Sequence, residues 1–155
     1  MDTNYHLRSV TAWDAMALHK TCWPDKSVEA VQELLDRAEG LIRRKRGLGI
    51  ITEIEGHIVG YAQLTLWSRT GEISDLIVAP GWRDRGIGSA MICYLVEKAR
   101  DWPMPQVEIG VAMTNPRAYA LYRRLGFQES RIVNLDLGSG PEAVMYLTMQ
   151  FDAPL

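Results

Sequence analysis

Between Ala79 and Arg100 the chain reads APGWRDRGIGSAMICYLVEKAR, with two glycines one residue apart among arginines, after a strand-like apolar run and before a run of helical spacing. A strand, a loop rich in free N–H groups and a helix start together make an anion site, because the first helical turn holds orphan donors and a partial positive charge. Glycine lets the backbone approach a phosphate closely, and arginine adds a permanent planar charge suited to phosphate. Arg83, Arg85, Gly86, Ile87, Gly88 and Ser89 supply that loop. Spacing excludes two phosphate motifs. A dinucleotide fingerprint wants a third glycine three residues after Gly88, where Met91 stands, and a P-loop wants Gly-Lys-Ser/Thr, which is absent. The loop also follows what reads as several strands rather than the first strand of a parallel sheet. A diphosphate site of another kind remains.

The elements that must hold this loop follow from periodicity and punctuation. Residues 4–9 suit a short strand. Thr11 to Cys22 suits a helix with Trp13, Met16, Ala17 and Lys20 toward one side, broken at Pro24. From Ser27 onward Val28, Val31, Leu34, Leu35, Ala38, Leu41 and Ile42 recur at helical spacing. That helix runs into Arg43, Arg44, Lys45 and Arg46, then Gly47. Cations at a helix C-terminus and glycine as its stop explain this cluster better than nucleic acid does. GIITEIEGHIVGYAQLTLW gives two strands around an Glu55-Gly56 turn. A central strand is expected from Glu72 to Ala79, then a helix from Gly86 to Arg100 with Met91, Ile92, Leu95, Val96 and Ala99 on its apolar face. VEIGVAM at 107–113 is another strand. Asn115 and Pro116 open a helix as N-cap and first helical residue, and Gly126 closes it in the left-handed position. RIVNLDL and AVMYLTM form a last strand pair around residues 138–141. The order β-α-α-β-β-β-α-β-α-β-β is an α/β fold with a mixed, largely antiparallel sheet flanked by helices. Its 155 residues suit one domain, 1–155.

Bulk properties exclude several classes. A net charge of -2 offers no general attraction for nucleic acid or anionic lipid. MDTNYHLRSVTAWDA lacks the layout of a signal peptide, and no apolar run approaches the roughly 20 residues that span a bilayer. Cys22 and Cys93 are too few for a disulfide framework, and three scattered histidines offer no metal-ligand set. The expectation is a cytoplasmic protein that uses neither metal, membrane nor nucleic acid.

Two blocks carry a resemblance. Arg83-Asp84-Arg85-Gly86-Ile87-Gly88, directly after the apolar run DLIVAP, matches Arg/Gln-x-x-Gly-x-Gly/Ala. About 30 residues on, NPRAYALYRRLGF carries Asn115, Ala118, Leu121, Tyr122, Gly126 and Phe127 in the pattern Asn-x-x-Ala-x-x-Leu-Tyr-x-x-x-Gly-Phe. The chain thereby resembles the GNAT superfamily of acetyl-CoA-dependent N-acetyltransferases, well over residues 49–127 and in element order throughout. The resemblance implies that backbone of Arg83, Arg85, Gly86, Ile87, Gly88 and Ser89 binds the CoA pyrophosphate. It implies that Leu76 and Val78 pair with the pantetheine arm, that Asn115 holds this arm, and that Tyr122 lies near the thioester sulfur. The strands at 72–79 and 107–113 must then splay apart, and Gly110 is compatible with local irregularity. The resemblance also allows a homodimer.

Acyl transfer from acetyl-CoA to a primary amine makes three demands. An alkyl ammonium with a pKa near ~10.4 must lose its proton, the oxyanion needs a donor, and the leaving thiolate benefits from protonation. Tyr122, a phenol with pKa about ~10, suits the last role, although a core tyrosine on the face of Ala118, Leu121 and Leu125 has the same spacing. The family-implied oxyanion donor is the Val78 N–H. Some relatives place a catalytic glutamate at the position of Glu72. By period two Glu72, Ser74, Leu76 and Val78 share a strand face, with Glu72 roughly 13 Å from Leu76 at ~3.3 Å per residue, so a base there acts through water. Asp75 faces the other way unless a bulge intervenes. Cys93, inside a helix, reads as a small buried residue rather than an acyl carrier, so direct transfer in a ternary complex is expected. The acceptor, a small molecule or a peptide, is expected between the N-terminal helices, residues 49–67 and 137–143. Trp23, Trp67, His19, Glu72 and Tyr146 are candidate lining residues, and both tryptophans also read as core. A non-catalytic acyl-CoA-binding module on the same fold is the alternative.

Overall fold

The computed structural model describes residues 4–136, 138 and 140–152. Strand β1 (Tyr5–Ser9) is followed by a short 3₁₀ turn and helix α1 (Ala15–Thr21), then α2 (Val28–Arg43). Strands β2 (Gly47–Ile54), β3 (His57–Leu66) and β4 (Gly71–Val78) come next, then α3 (Ile87–Asp101), β5 (Gln106–Ala112) and α4 (Pro116–Arg124). Strands β6 (Gln128–Asp136) and β7 (Pro141–Gln150) close the chain. The seven strands form one sheet in the order β1-β2-β3-β4-β5-β7-β6. Every neighbouring pair is antiparallel except β4 and β5. This is the mixed, largely antiparallel α/β architecture and element order expected above. Leu137 and Ser139 of the last loop lie outside the described residues. No described helix is long and apolar enough to cross a membrane.

Helices cover both faces of the sheet. A Cβ on Gly49 of β2 would meet Ala38 of α2 at 2.8 Å, and one on Gly60 of β3 would meet Met91 of α3 at 3.0 Å. Strand residues Gly49 and Gly60 therefore take α2 and α3 at close approach on opposite sides. Leu18, Leu35 and Tyr61 are fully buried under α1 and α2, and Met91, Ile92 and Leu95 under α3. Fully burying each such side chain contributes about 1.5–3 kcal/mol. The spacing read from Val31, Leu34, Leu35 and Ala38 is the buried stripe of α2, and Ser27 Oγ caps that helix by accepting from the Ala30 N–H at 3.1 Å.

Two local expectations are corrected. The first helix does not bury Trp13 and Met16, which are 94% and 49% exposed; Asp14, Ala15, Leu18 and Cys22 point inward. The cause is Asp14. Its carboxylate accepts from the Thr11 N–H at 2.9 Å and from both terminal nitrogens of Arg8 at 2.9 and 3.0 Å. Burial raises the Asp14 pKa, and the Arg8 and Thr11 bonds outweigh it, leaving the carboxyl below its usual range. A partnered charge can be buried, and turning it inward rotates Trp13 outward.

The second correction concerns the end of α2. Lys45, not Gly47, takes the left-handed position with φ 55. The Lys45 N–H donates to the Ile42 carbonyl at 3.1 Å and the Arg46 N–H to the Leu41 carbonyl at 2.8 Å, a Schellman closure. Gly47 is instead the first residue of β2, where a Cβ would sit 2.1 Å from the Leu64 carbonyl oxygen. Gly40, inside α2, meets nothing nearer than the mobile end of Arg44 at 3.4 Å. Chemical denaturation is expected to show Gly40→Ala raising stability by about 0.5–1 kcal/mol, while Gly47→Ala lowers it by about 1–3 kcal/mol. Similar effects at both positions would refute this account of the two glycines.

Candidate active site: a groove at the splayed strands

Strands β4 and β5 pair only through Gly71, Glu72 and Ile73 against Val107, Glu108 and Ile109. Beyond these residues the strands separate. At the point of separation Asp75 has φ 55, and the β3–β4 register slips by one residue between Tyr61 and Gln63. This is a β-bulge, and it changes which residues share a face. Opposed residues of antiparallel strands project to the same side. Glu72 stands opposite Thr65, Ser74 opposite Gln63 and Ile77 opposite Tyr61, whereas Val78 stands opposite Gly60. Glu72, Ser74 and Ile77 therefore lie on the α1–α2 face, and Leu76 and Val78 on the α3 face. The expected common face for Glu72, Ser74, Leu76 and Val78 does not form, because the extra residue at Asp75 inverts the alternation.

The bulge also aims backbone groups. The Ala79 N–H donates to the Val59 carbonyl at 2.8 Å. By antiparallel alternation Ile77 then bonds toward β3, and the N–H and C=O groups of Leu76 and Val78 point into the gap. The Val78 carbonyl accepts from Arg83 Nε at 3.1 Å.

The gap continues into a groove of about 750 Å³ between β4, the loop before α3, and α4. Leu76, Val78, Arg83, Gly86, Ile87, Gly88 and Ser89 line one side, and Asn115, Ala118, Leu121 and Tyr122 the other. Asp84 with φ 63 and Gly86 with φ 80 reverse the loop. Gly86 is the N-cap of α3 and provides no side-chain cap, so the first N–H groups of the helix face the groove as orphan donors. The Arg85 side chain does not line the groove. Its guanidinium lies 4.8 Å from the centre of the Trp82 ring and donates to the Gly81 carbonyl at 3.4 Å.

On α4, Asn115 Oδ1 accepts from the Ala118 N–H at 3.2 Å, which leaves its amide N–H₂ for another partner. Tyr122 is 6% exposed, with its ring 6.4 Å from Phe127. Burial pushes its phenol up to about 12, so it stays a neutral donor at physiological pH. The Phe127 N–H to Tyr122 carbonyl bond at 3.1 Å and the Gly126 N–H to Arg123 carbonyl bond at 3.1 Å close the helix directly behind it.

A second cluster occupies the opposite face of the sheet. Glu72 accepts from Trp67 Nε1 at 3.1 Å. Its neighbour across the parallel pair, Glu108, accepts from Arg131 at 3.0 Å, and Arg131 stacks 4.4 Å over the Tyr146 ring. Burial first, then Glu72 and Glu108, pushes the Tyr146 phenol up. Glu72 thus lies on the α1–α2 face with Trp67 and Tyr146, and it does not line the groove. Gly110 is regular strand rather than an irregularity: a Cβ there would strike the Tyr146 ring at 3.2 Å. Trp67 is 56% exposed and not core, while Trp23 is core, edge-on to Tyr61 at 5.4 Å. His19 is half-buried on α1 and does not line the groove. Cys93 is exposed rather than buried, because the α3 core stripe is Met91, Ile92, Leu95, Val96 and Ala99. Sequence reasoning missed Trp82, Asp84 and Arg117 as groove residues. Their signal was position alone, within the loop and in the first turn after the Asn115 cap.

Free backbone donors at a helix start, an open strand edge and a buried neutral phenol can hold a phosphorylated, extended acyl carrier and protonate its leaving group. A family model described as the acetyltransferase (GNAT) family matches residues 12–127. An uncharacterized N-acetyltransferase of Methanocaldococcus jannaschii is 32% identical over 100 residues. That match takes in 60% of this chain and 44% of the relative, so the chain spans less than half the relative's length. The Salmonella typhimurium acetyltransferase that modifies the N-terminal serine of a 50S ribosomal subunit protein superposes with TM-score 0.83 at 15% identity, over 97% of each chain. A ribosomal alpha-N-protein acetyltransferase in complex with coenzyme A gives TM-score 0.83 at 17% identity, over 99% of this chain and 97% of that one. At such identities the structural likeness is one of fold.

Asn115 has a structural duty separable from any ligand. Asn115→Ala is expected to cost about 1 kcal/mol in thermal or denaturant unfolding, and Asn115→Asp, which keeps the capping oxygen, less than half of that. Equal losses in the two variants would remove the cap as the cause.

Proposed function

The chain belongs to the acetyltransferase (GNAT) family, and from that premise we propose that it transfers an acetyl group from acetyl-CoA directly to a primary amine. The observation that carries this reading is the joint placement of the open β4 edge, the uncapped α3 start and the Tyr122 phenol along one groove. Its volume of about 750 Å³ falls within the range of cofactor sites.

Each residue then has a task. Backbone N–H groups from Arg83 to Ser89 hold the pyrophosphate, and glycine at 86 and 88 keeps side chains out of its way. Leu76 and Val78 offer strand-like hydrogen bonds to the pantetheine arm, and the Asn115 amide a further one. The Val78 N–H donates to the thioester oxygen, where negative charge develops. Tyr122 gives its proton to the departing sulfur, as a phenol held neutral by burial can. The acceptor approaches from the opposite face, where Glu72, held by Trp67, takes the amine proton through water. Glu72 and Glu108 suit a cationic amine. A peptide N-terminus is the acceptor class that the Salmonella typhimurium neighbour's activity supports, and a small amine fits the same chemistry.

Amine-dependent release of CoA thiol tests this. Tyr122→Phe is expected to lower kcat by about 10²-fold or more while acetyl-CoA affinity stays within about threefold, since only the hydroxyl is lost. Wild-type turnover in that variant would remove Tyr122 as the acid. CoA binding without turnover across a panel of amines and peptides would favour the non-catalytic alternative. Glu72→Gln is expected to depress kcat/KM most at neutral pH and least above the pKa of the amine, where the amine is already neutral before it attacks. A uniform loss across the pH profile would refute its role as base.

A further inference from the structure

Coenzyme A carries a third phosphoryl group, on the ribose 3′ oxygen, and the backbone donors of the α3 start are occupied by the pyrophosphate in the function proposed above. A cation on the groove wall can meet the third. Arg83 donates to the Val78 carbonyl, and Arg85 lies over Trp82 outside the groove. Arg124 lines the groove about two turns further along α4. Arg117, in the first turn of α4, faces the phosphate loop across the groove, and its Nη2 donates to Asp84 Oδ1. The two side chains are 74% and 70% exposed. An ion pair so open to water is weak and easily exchanged. A phosphate dianion offers the same guanidinium a doubly charged, bidentate partner.

We infer that Arg117 reads the 3′-phosphate of coenzyme A, leaving Asp84 for that phosphate when the nucleotide binds. Without the phosphate, Arg117 stays with Asp84 and contributes nothing to binding, so this residue sets a preference for coenzyme A over carriers that lack the group. Asp84, held at φ 63 in the loop, serves as the place-holder that keeps Arg117 over the groove.

This inference rests on the acetyl-CoA reading, and calorimetry of the whole chain separates the two. Wild type and Arg117→Gln are titrated with coenzyme A and with 3′-dephospho-coenzyme A. Wild type is expected to prefer coenzyme A by about tenfold or more, the scale of one charged hydrogen-bonding pair. Arg117→Gln is expected to bind dephospho-coenzyme A within about twofold of wild type and to lose most of the preference. Equal weakening of both ligands, or an undiminished preference, would overturn the role of Arg117 while leaving the cofactor reading intact. Failure of wild type to bind either ligand would overturn both.

Discussion

The groove depends on the end of β4, which has no partner strand on its β5 side. Backbone N–H and C=O groups inside a sheet must be satisfied, yet from Leu76 to Val78 the fifth strand is out of reach, since pairing stops at Ile73 and Ile109. A seven-stranded sheet is thus split at its single parallel junction. The left-handed Asp75 costs of order 1–3 kcal/mol, and it persists because the surroundings leave little choice. Tyr61 and Ile73 are packed on either side with 0% and 1% exposure, and β3 runs antiparallel to β4 on both sides of the bulge.

The split separates two kinds of surface. On the α3 side it opens onto backbone donors, Asn115 and a phenol whose proton is held by burial. On the α1–α2 side it meets Glu72 and Glu108, flanked by Trp67, Arg131 and Tyr146. The bulge is responsible for this division, because without it Glu72 would lie on the same face as Val78. In the transfer proposed, Tyr122 on one face would act as acid and Glu72 on the other as base, so that two reactants meet at the gap from opposite sides. The α4 closure at Gly126 and Phe127 supports the arrangement by holding Tyr122 against the groove wall.

Much of this was legible in the sequence where the cause is local. Gly126 takes left-handed backbone where its spacing placed it, and Gly86 stands at the start of α3 as expected. Asn115 and Pro116 start α4, Ser27 starts α2, and the turn at Glu55-Gly56 joins β2 to β3. The readings that changed were decided by distant partners. Trp13 turns outward because Arg8 claims Asp14. Gly47 is needed for the Leu64 carbonyl across the strand pair rather than for the helix end. Gly110 makes room for Tyr146 on β7, and Trp67 stays exposed, bonded to Glu72.

The sequence by itself determined the element order, the caps and the glycine-rich start of α3, because each depends on φ preferences and hydrogen-bonding capacity within a few residues. Only the tertiary structure decided how those parts face one another. An alternation rule carries no information about a one-residue slip; aspartate, uncommon in strands and tolerant of left-handed backbone, allows a bulge at Asp75 without fixing one. The slip follows from fitting β4 between β3 on one side and a diverging β5 on the other. It sets Glu72 apart from Val78.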